Sequence, residues 1–360
     1  MTGALRRAGG ALALLDAGGL GPYRSAGPSL AFGWSTTGER PAGLMPGVAV
    51  RLGEHLMPSA GAPMNSPVTA AARVGPLLPA GDPRIVGIVN ITEDSFSDGG
   101  RYLRPEAAIV HARRLRADGA DIVELGPAAS HPGSAPVTAA EEQRRLAPVL
   151  EQLTGDGIPL SVDSSRSETQ RFAISAGVSY LNDIHGFGDP DMYPALAAAE
   201  CQLIVMHAVQ RAGSATRVVT DPAAVWDGTL RFFTERLAAL REAGISRDRL
   251  IIDPGLGYFL GSTPRPSLAA LAGIRELKAA FCVPVLASPS RKSFLRALTG
   301  RDITRSGSAT LAAEIFAAWQ GANFIRTHDV AAARDAFTVL AAIAREAATS
   351  PGSAEEAPCP

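Results

Sequence analysis

The sequence has little that would tie it to a membrane, a nucleic acid or an oxidising compartment. Its three cysteines, Cys201, Cys282 and Cys359, show no paired spacing, which argues against a disulfide framework or a zinc cluster. No apolar run approaches the roughly 20 residues that a membrane helix needs. The 34 Lys and Arg residues nearly balance the 35 Asp and Glu residues, so neither nucleic acid nor an anionic membrane is indicated as a partner. We therefore expect a cytoplasmic protein.

The two ends of the chain differ in composition from the part between them. Residues 1–80 are rich in Gly, Ala and Pro, and their apolar residues follow no sustained period, which predicts a flexible extension. A short apolar run after Arg6 and Arg7 is interrupted at Asp16, so a signal peptide is not favoured. Residues 349–360 are rich in Pro, Ser and Glu and predict a loose tail. Residues 81–348 are left as a single folded domain.

Short apolar runs alternate with longer amphipathic stretches through this domain. The runs have the length and composition of buried parallel strands. The predicted strands are residues 85–89, 121–125, 158–162, 178–181, 202–206, 249–252, 284–287 and 323–325. The predicted helices are residues 105–118, 139–153, 167–176, 190–200, 223–243, 267–280, 308–320 and 330–347. Eight strands, each followed by a helix, predict a (β/α)8 TIM barrel. The alternative is a doubly wound open sheet, but its G-x-G-x-x-G loop is absent after the first strand.

Polar side chains follow nearly every predicted strand at the point where the strand ends. They are Asn90, Asp163, Asn182, His207, Asp253, Ser290, Lys292, Arg326 and His328. In a barrel all strands end on one face, so these side chains should converge there. Each alone has an ordinary structural explanation, because an aspartate after a strand often caps the next helix. Their recurrence at successive strand ends favours a functional site.

The strand ends differ in charge, which predicts two kinds of ligand. Residues 290–292 (SRK) and 326–328 (RTH) follow strands 7 and 8, where barrels of this type often bind phosphate, and they indicate a phosphorylated substrate. Asp163, Asn182 and Asp253 offer acceptors that pair with a flat heterocycle rich in N–H groups.

The loop after the first strand is rich in oxygen ligands. Asn90, together with the side chains of residues 94–98, could hold Mg²⁺ on the phosphates of such a substrate. Mg²⁺ prefers a few protein oxygens supplemented by phosphate and water.

Six motifs occur in chain order across residues 84–340. They are residues 87–100 (GIVNITEDSFSDGG), 182–184 (NDI), 206–207 (MH), 253–257 (DPGLG), 290–293 (SRKS) and 326–329 (RTHD). With these motifs the chain resembles dihydropteroate synthase of folate biosynthesis. Within that family it is most similar to the sulfonamide-resistant branch, through residues 125–130 (LGPAAS), 186–188 (GFG) and 257–261 (GYFLG).

The resemblance implies a reaction and a role for each matching residue. It implies condensation of 6-hydroxymethyl-7,8-dihydropterin pyrophosphate with p-aminobenzoate, giving 7,8-dihydropteroate and pyrophosphate, with Mg²⁺ as cofactor and a homodimeric assembly. The implied catalytic residues, which also bind substrate, are Lys292, Asp163, Asp253, Arg326 and His328. The further substrate-binding residues are Asn182, Ser130, Met206, Ser290, Phe187 and Tyr258, and Asn90 is the implied metal ligand.

The chain departs from the ordinary family pattern in two loops. After strand 2 the family has GGESTRPG, whereas residues 126–133 read GPAASHPG. Ser130 can replace the family's threonine hydroxyl, but His131 replaces an arginine, which weakens any claim about closure over p-aminobenzoate. After strand 6 the family's loop lysine is missing from residues 257–260 (GYFL). We interpret both changes as features of the resistant subtype.

Phe187 gives the most specific hypothesis. A bulky ring beside the p-aminobenzoate site would exclude the extra ring of a sulfonamide while leaving room for the smaller substrate. The simpler interpretation is that Phe187 packs its own loop. Two alternative functions also stay open: a pterin-binding barrel of the methyltetrahydrofolate-binding type, which needs no cationic anion site, and a catalytically inactive paralogue.

Overall fold

The computed structural model describes residues 77–79, 81–92, 104–210 and 212–349. These residues form one eight-stranded parallel sheet whose strands follow one another around a ring, in the order β6-β5-β4-β3-β2-β1-β8-β7. The strands are β1 (Arg84–Asn90), β2 (Ile122–Gly126), β3 (Leu160–Asp163), β4 (Tyr180–Asp183), β5 (Gln202–Met206), β6 (Leu250–Asp253), β7 (Leu286–Ala287) and β8 (Phe324–Thr327). The predicted (β/α)8 barrel is confirmed.

The ring closes between β6 and β7, which is its least regular junction. A single parallel bridge joins Ile252 to Val285, and the backbone N–H of Ile252 donates to the carbonyl of Pro284 at 3.0 Å. β7 itself pairs with β8 through only Leu286 and Ala287. We call this junction the β6–β7 seam.

Helices separate the strands and cover the outside of the barrel. They are α1 (Pro105–Ala117), α2 (Ala139–Gly155), α3 (Ser167–Ser175), α4 (Tyr193–Ala198), α5 (Pro222–Glu242), α6 (Pro264–Ala272), α7 (Ile274–Phe281), α8 (Ser293–Thr299), α9 (Gly307–Trp319) and α10 (Val330–Thr349). Short 3-10 turns precede α4, β6, α6 and α9. Among the described residues, no helix is both long and apolar enough to cross a membrane.

The helices differ from the prediction in three places. The stretch 190–200 contains a 3-10 turn, Pro190–Met192, followed by the short α4. The predicted helix 267–280 begins earlier and is divided at Gly273 into α6 and α7. α8 was not predicted, because its seven residues are too few to show a helical period.

Side chains alternate between the interior of the barrel and the layer of helices. Paired residues on neighbouring strands point the same way, so the register sorts the side chains into two sets. One set closes the amino end of the barrel with an apolar floor layer, formed by Val86, Ile122, Tyr180, Ile204, Ile251, Leu286 and Phe324. The other set packs under the helices in the main hydrophobic core. The cavity above the floor layer is therefore lined by every second residue of each strand.

Several predictions fall on parts of the chain outside the described residues. These are the N-terminal extension (apart from residues 77–79), the C-terminal tail beyond Thr349 and the oxygen-rich loop from Glu93 to Gly100.

Candidate active site

A cavity of about 250 Å³ opens at the carboxyl end of the barrel, above the floor layer. Eleven of the twelve predicted site residues line it. They are Asn90, Ser130, Asp163, Asn182, Met206, Asp253, Tyr258, Ser290, Lys292, Arg326 and His328. The structure thus brings together residues that are up to 238 positions apart in the chain. Of the nine polar residues predicted to converge at the strand ends, eight line the cavity and His207 does not.

The register explains why these particular side chains point into the cavity. Asp163 pairs with Asn182 across β3 and β4, and Met206 pairs with Asp253 across β5 and β6. On the other side of the ring, Arg326 lies in register with Val86 of the floor layer. All of these belong to the inward-facing set.

A network of polar side chains lies at the bottom of the cavity. The guanidinium group of Arg326 forms ion pairs with Glu124 and with Asp163, the latter at 3.1 Å from Nη2 to Oδ2. Glu124 also accepts hydrogen bonds from Ser161 Oγ at 2.8 Å and from Asn182 Nδ2 at 3.2 Å. The remaining side-chain oxygen of Asn182, Oδ1, is buried and has no hydrogen-bond partner among the described residues. A ligand N–H group would satisfy that oxygen.

Burial shifts the ionisation of the groups around this network. Desolvation, reinforced by the charge of Glu124, raises the pKa of Asp163 to about 7, although Arg326 and Lys292 oppose the shift. Desolvation also raises the pKa of Asp253 to about 6, even though its Oδ1 accepts a hydrogen bond from the Gly255 N–H at 2.8 Å. The same cause lowers the pKa of Lys292 to about 8. All three groups therefore titrate within reach of neutral pH, which is typical of functional sites.

The ends of β7 and β8 form the corner of the cavity for which anion binding was predicted, and we call it the anion-binding corner. Ser290 Oγ lies 2.9 Å from His328 Nδ1 and accepts the backbone N–H of His328 at 3.1 Å. Burial, with the positive charge of Arg291 adding to it, lowers the pKa of His328 well below its usual value, so its imidazole is neutral at pH 7. A neutral ring that shares a hydrogen bond with Ser290 presents one nitrogen to the cavity without adding a charge.

The outer part of the cavity is formed by three loops. The loop after β5 is tied to the loop after β2, since the backbone N–H of Ala215 donates to the carbonyl of Ser130 at 3.0 Å. Arg217 lies over the ring of Tyr258 at 5.6 Å, and Lys292 Nζ lies 4.7 Å from the centroid of Phe259. Aromatic rings and cations therefore alternate along this wall.

His207 does not join the cavity, contrary to the prediction. The side chain before it, Met206, faces inward, so His207 faces the helices. Its ring packs 5.2 Å from that of Phe232, and its Nδ1 lies 3.1 Å from Thr229 Oγ1 on α5. His207 is a buried residue of the layer between the barrel and α5.

Phe187 is the one residue of the twelve assigned through the family resemblance that does not line the cavity. Its ring is 1% exposed and belongs to the main hydrophobic core, so the expected position beside a p-aminobenzoate site is not what the structure shows. The preceding Asp183 faces outward, and its carboxylate accepts the N–H groups of His185 and Phe187 at 2.8 and 2.9 Å. This turn directs Phe187, at a φ of 59°, away from the cavity, while Ile184 of the same loop lines it.

The comparisons with known proteins agree with this geometry. The family model described as "Pterin binding enzyme" matches residues 86–328. The type-2 dihydropteroate synthase of Escherichia coli is 56% identical over 259 residues, which cover 72% of this chain and 95% of that protein. The chain belongs to the dihydropteroate synthase family.

Solved dihydropteroate synthases share the fold over the same region. The Xanthomonas albilineans enzyme with 4-aminobenzoic acid superposes with a TM-score of 0.66 at 40% identity, covering 72% of this chain and 93% of that one. The same enzyme in complex with 7,8-dihydropteroate gives a TM-score of 0.61 at 36% identity, with 72% and 92% covered. The family resemblance inferred from the motifs is thereby confirmed.

Two residues of this dihydropteroate synthase family member went unnoticed in the sequence. Glu124 lies within the predicted second strand, two residues from Gly126 and so on the same face of the strand. A charged residue on the inward face of a largely apolar strand could have identified it. Arg217 lies in a long loop with no periodic pattern, and only the fold places it on the cavity wall beside Tyr258.

The described residues contain no cluster of three or more His, Cys, Asp or Glu side chains that could hold a metal ion. Asn90 contributes an amide oxygen to the cavity wall, close to Gly126. An amide oxygen of this kind fits a Mg²⁺ ion whose other oxygen ligands come from the phosphates of the substrate and from water.

Proposed function

We propose that the protein condenses 6-hydroxymethyl-7,8-dihydropterin pyrophosphate with p-aminobenzoate, releasing pyrophosphate and forming 7,8-dihydropteroate. The observation that carries the proposal is that two groups of different chemistry line one cavity. They are acceptors suited to a pterin (Asp163, Asn182 and Asp253) and the anion-binding corner of Ser290 and His328. Family membership and the ligands named for the Xanthomonas albilineans structures support the same reaction.

The pterin would bind at the floor of the cavity. Asp163 and Asp253 would accept hydrogen bonds from its ring N–H and amino groups, and the unsatisfied Oδ1 of Asn182 would accept another. Asp253 is buried and the side chain of Asp163 is 19% exposed, so their interaction with a cationic pterin would be only partly screened by water.

The reaction would begin with cleavage of the bond between the pterin methylene carbon and the pyrophosphate oxygen. The electron pair leaves with pyrophosphate, and the methylene carbon keeps a positive charge delocalised over the pterin. The amine nitrogen of p-aminobenzoate then forms the new C–N bond and gives up a proton to solvent. Arg326, His328 and Ser290 would stabilise the charge that grows on the leaving group.

Lys292 links the carboxylates of the cavity to its outer wall. Its ammonium group interacts electrostatically with Asp253 and Asp163, and it packs over the ring of Phe259. We assign it to bridging the pterin and p-aminobenzoate, with Ser130, Met206 and Tyr258 lining the p-aminobenzoate side.

Mg²⁺ is part of the proposal as a cofactor bound through the substrate. Asn90 would hold it, and the ion would supply positive charge to the pyrophosphate oxygens as they leave. The oxygen-rich sequence of residues 93–100 supports this assignment by its composition.

The decisive measurement is pyrophosphate release from the pterin substrate by purified protein, with and without p-aminobenzoate. We expect release in the wild type and a loss of at least about 100-fold in Lys292→Ala, because the substitution removes a charge at the reacting centre. Lys278→Ala is the matched control, since Lys278 lies on α7 and donates to the carbonyl of Gly321 outside the cavity.

The outcomes separate the alternatives. Pterin binding without pyrophosphate release under any condition would favour a pterin-binding barrel that is not a synthase. Neither binding nor release would indicate an inactive paralogue.

We further propose that the protein is insensitive to sulfonamides. The support is the similarity of residues 186–188 to the resistant branch, together with the rigid loop that holds Phe187 in the core. Because Ile184 of that loop lines the cavity, the packing of Phe187 would set the shape of the cavity wall indirectly.

The test compares inhibition of the wild type and of a variant lacking Phe187 and Gly188. A sulfonamide bearing an aromatic ring on its sulfonamide nitrogen should inhibit the variant far more strongly than the wild type, at similar KM values for p-aminobenzoate. Inhibition of the wild type at concentrations near its KM for p-aminobenzoate would refute the proposal.

A further inference from the structure

Glu124 is a fully buried carboxylate beneath the cavity, and the proposed reaction does not yet use it. It lies in the middle of β2, where it pairs in register with Ile88 of β1 and with Ser161 of β3. Its side chain has no exposed surface and does not line the cavity. A carboxylate in this position costs free energy unless its partners compensate for lost hydration.

The partners of Glu124 come from three other strands and include two side chains of the cavity. Ser161 of β3 donates to it at 2.8 Å, and Asn182 of β4 donates through Nδ2 at 3.2 Å. Arg326 of β8 forms an ion pair with it through Nε. Glu124 thereby links β3 and β4 to β8, which lies across the ring from β4.

These contacts fix the orientation of both cavity side chains. Because Asn182 donates its amide nitrogen to Glu124, its Oδ1 must point the other way, toward the space that a ligand would fill. Because Arg326 gives Nε to Glu124, its Nη1 and Nη2 atoms are directed at Ser288 and Asp163. Without Glu124, either side chain could rotate into a different set of hydrogen bonds.

Glu124 also sets the balance of charge around the floor. Three inward-facing carboxylates, Glu124, Asp163 and Asp253, interact with two cations, Lys292 and Arg326, and the outward-facing Asp183 is a fourth carboxylate that acts on Asp163. With the five inward-facing groups ionised, one negative charge is left over. A pterin that becomes cationic as pyrophosphate leaves would complete the balance.

We infer that Glu124 is a positioning residue of the reaction: it orients Asn182 toward the pterin, fixes the guanidinium group of Arg326 and supplies negative charge that the pterin cation neutralises. The inference rests on the proposed function, because it takes the pterin as the group that Asn182 binds and pyrophosphate as the group that Arg326 stabilises. It differs from a purely structural role, in which Glu124 would contribute only to folding.

The test uses two substitutions at Glu124 and one control substitution just before β2. Glu124→Gln keeps the size and removes the charge, whereas Glu124→Asp keeps the charge on a shorter side chain. Asp121→Asn is the control, because Asp121 precedes β2 at the other end of the barrel and forms an ion pair with Arg334 at 2.7 Å, in which both side chains are about one-third exposed.

We expect Glu124→Gln to lower kcat about 100-fold, with less than a threefold change in the KM for p-aminobenzoate and a weaker affinity for 6-hydroxymethylpterin. The kcat of Glu124→Asp should be at least tenfold higher than that of Glu124→Gln. Asp121→Asn should retain kcat within twofold. Melting curves of all three variants separate a loss of fold from a loss of function, and if Glu124→Gln does not fold, Glu124→Asp carries the same comparison.

Two results would overturn the inference. One is a Glu124→Gln kcat within threefold of the wild type. The other is a loss that Glu124→Asp does not relieve and that follows the melting temperature in all three variants. A wild type that binds 6-hydroxymethylpterin but releases no pyrophosphate would refute the proposed function instead. In that case, unchanged pterin affinity in Glu124→Gln would refute the inference as well.

Discussion

Asp163 and Asp253 are the two residues through which pH should control ligand binding. Their raised pKa values, about 7 and about 6, mean that both carry protons in the free protein at pH 5 and that both are charged at pH 8. A protonated carboxyl group has lost part of its capacity to accept hydrogen bonds from a pterin. The affinity for pterin is therefore tied to their deprotonation.

We predict that the Kd for 6-hydroxymethylpterin falls as the pH rises from 5 to 8. Below each pKa the affinity should change by up to tenfold per pH unit for each group that must lose a proton. Isothermal titration calorimetry at several pH values measures this slope. Asp253→Asn should bind weakly and show a shallower slope, and a wild-type Kd independent of pH would contradict the prediction.

Glu314 of α9 should make the folded protein less stable as the pH rises. Burial raises its pKa to about 8, and its Oε1 has no hydrogen-bond partner among the described residues. Between about pH 4.5 and 8 the folded protein holds a proton that the unfolded chain has lost, so the free energy of unfolding decreases as the pH rises through this range. Each unit of pKa difference corresponds to about 1.4 kcal/mol.

We predict that Glu314→Gln removes this part of the pH dependence, because glutamine cannot ionise. The melting temperature of the variant, relative to the wild type, should increase steadily from pH 5 to pH 8.5. Thermal unfolding followed by circular dichroism measures it, and Glu276→Gln, at an exposed site on α7, is the control. A constant difference across the range would show that Glu314 does not carry the shift.

The inward or outward direction of single side chains decided which residue predictions succeeded. Asn182 and Met206 were placed correctly because they face inward, whereas their neighbours Asp183 and His207 face the helices. A strand of known register fixes this alternation, but the sequence does not show the register between strands. Polar residues at strand ends therefore identify the site, but the set also includes residues such as His207 that face the helices.

The division between α6 and α7 is the clearest example of packing that overrides a helical pattern. Gly273 lies where the two helices meet, and the indole of Trp226 from α5 fills the space beside it. A Cβ atom at this position would lie 2.3 Å from the nearest indole carbon. The chain bends here because only glycine lets α5 approach so closely.

We predict that Gly273→Ala destabilises the protein by about 1–3 kcal/mol, since the indole is rigid and cannot move aside without repacking. Gly228→Ala is the matched control within α5, because an added Cβ there meets nothing within 4 Å. That substitution should stabilise the protein by about 0.5–1 kcal/mol through a better helix propensity. Urea unfolding of both variants gives the comparison, and equal effects would contradict the explanation.

At the level of elements the sequence was sufficient for the barrel strands and for most of the helices. Long stretches with a clear period, such as α5 and α10, were predicted to within a few residues. The failures were short elements: α8 has seven residues, and β7 has two. Such elements are stabilised by the neighbours they pack against, and those contacts leave no period in the sequence.

The whole molecule was predicted to be cytoplasmic and homodimeric, and both remain predictions. Light scattering coupled to size-exclusion chromatography tests the second directly. We expect a mass near twice the 37.3 kDa of one chain, independent of dilution over at least a tenfold range. A mass of one chain at all concentrations would refute the homodimer.

The β6–β7 seam is the part of the ring with the fewest backbone hydrogen bonds between strands, and it lies next to the cavity. One bridge and a two-residue strand protect few backbone amides there, while β1 and β2 are paired along five residues. The amide hydrogens of residues 285–287 should consequently exchange with solvent sooner than those of β1, through local opening of the ring. Ser290 and Lys292 follow directly on this segment, so a ligand that engages them also holds the ring shut. Slower exchange at the seam would then report occupancy of the cavity without any turnover.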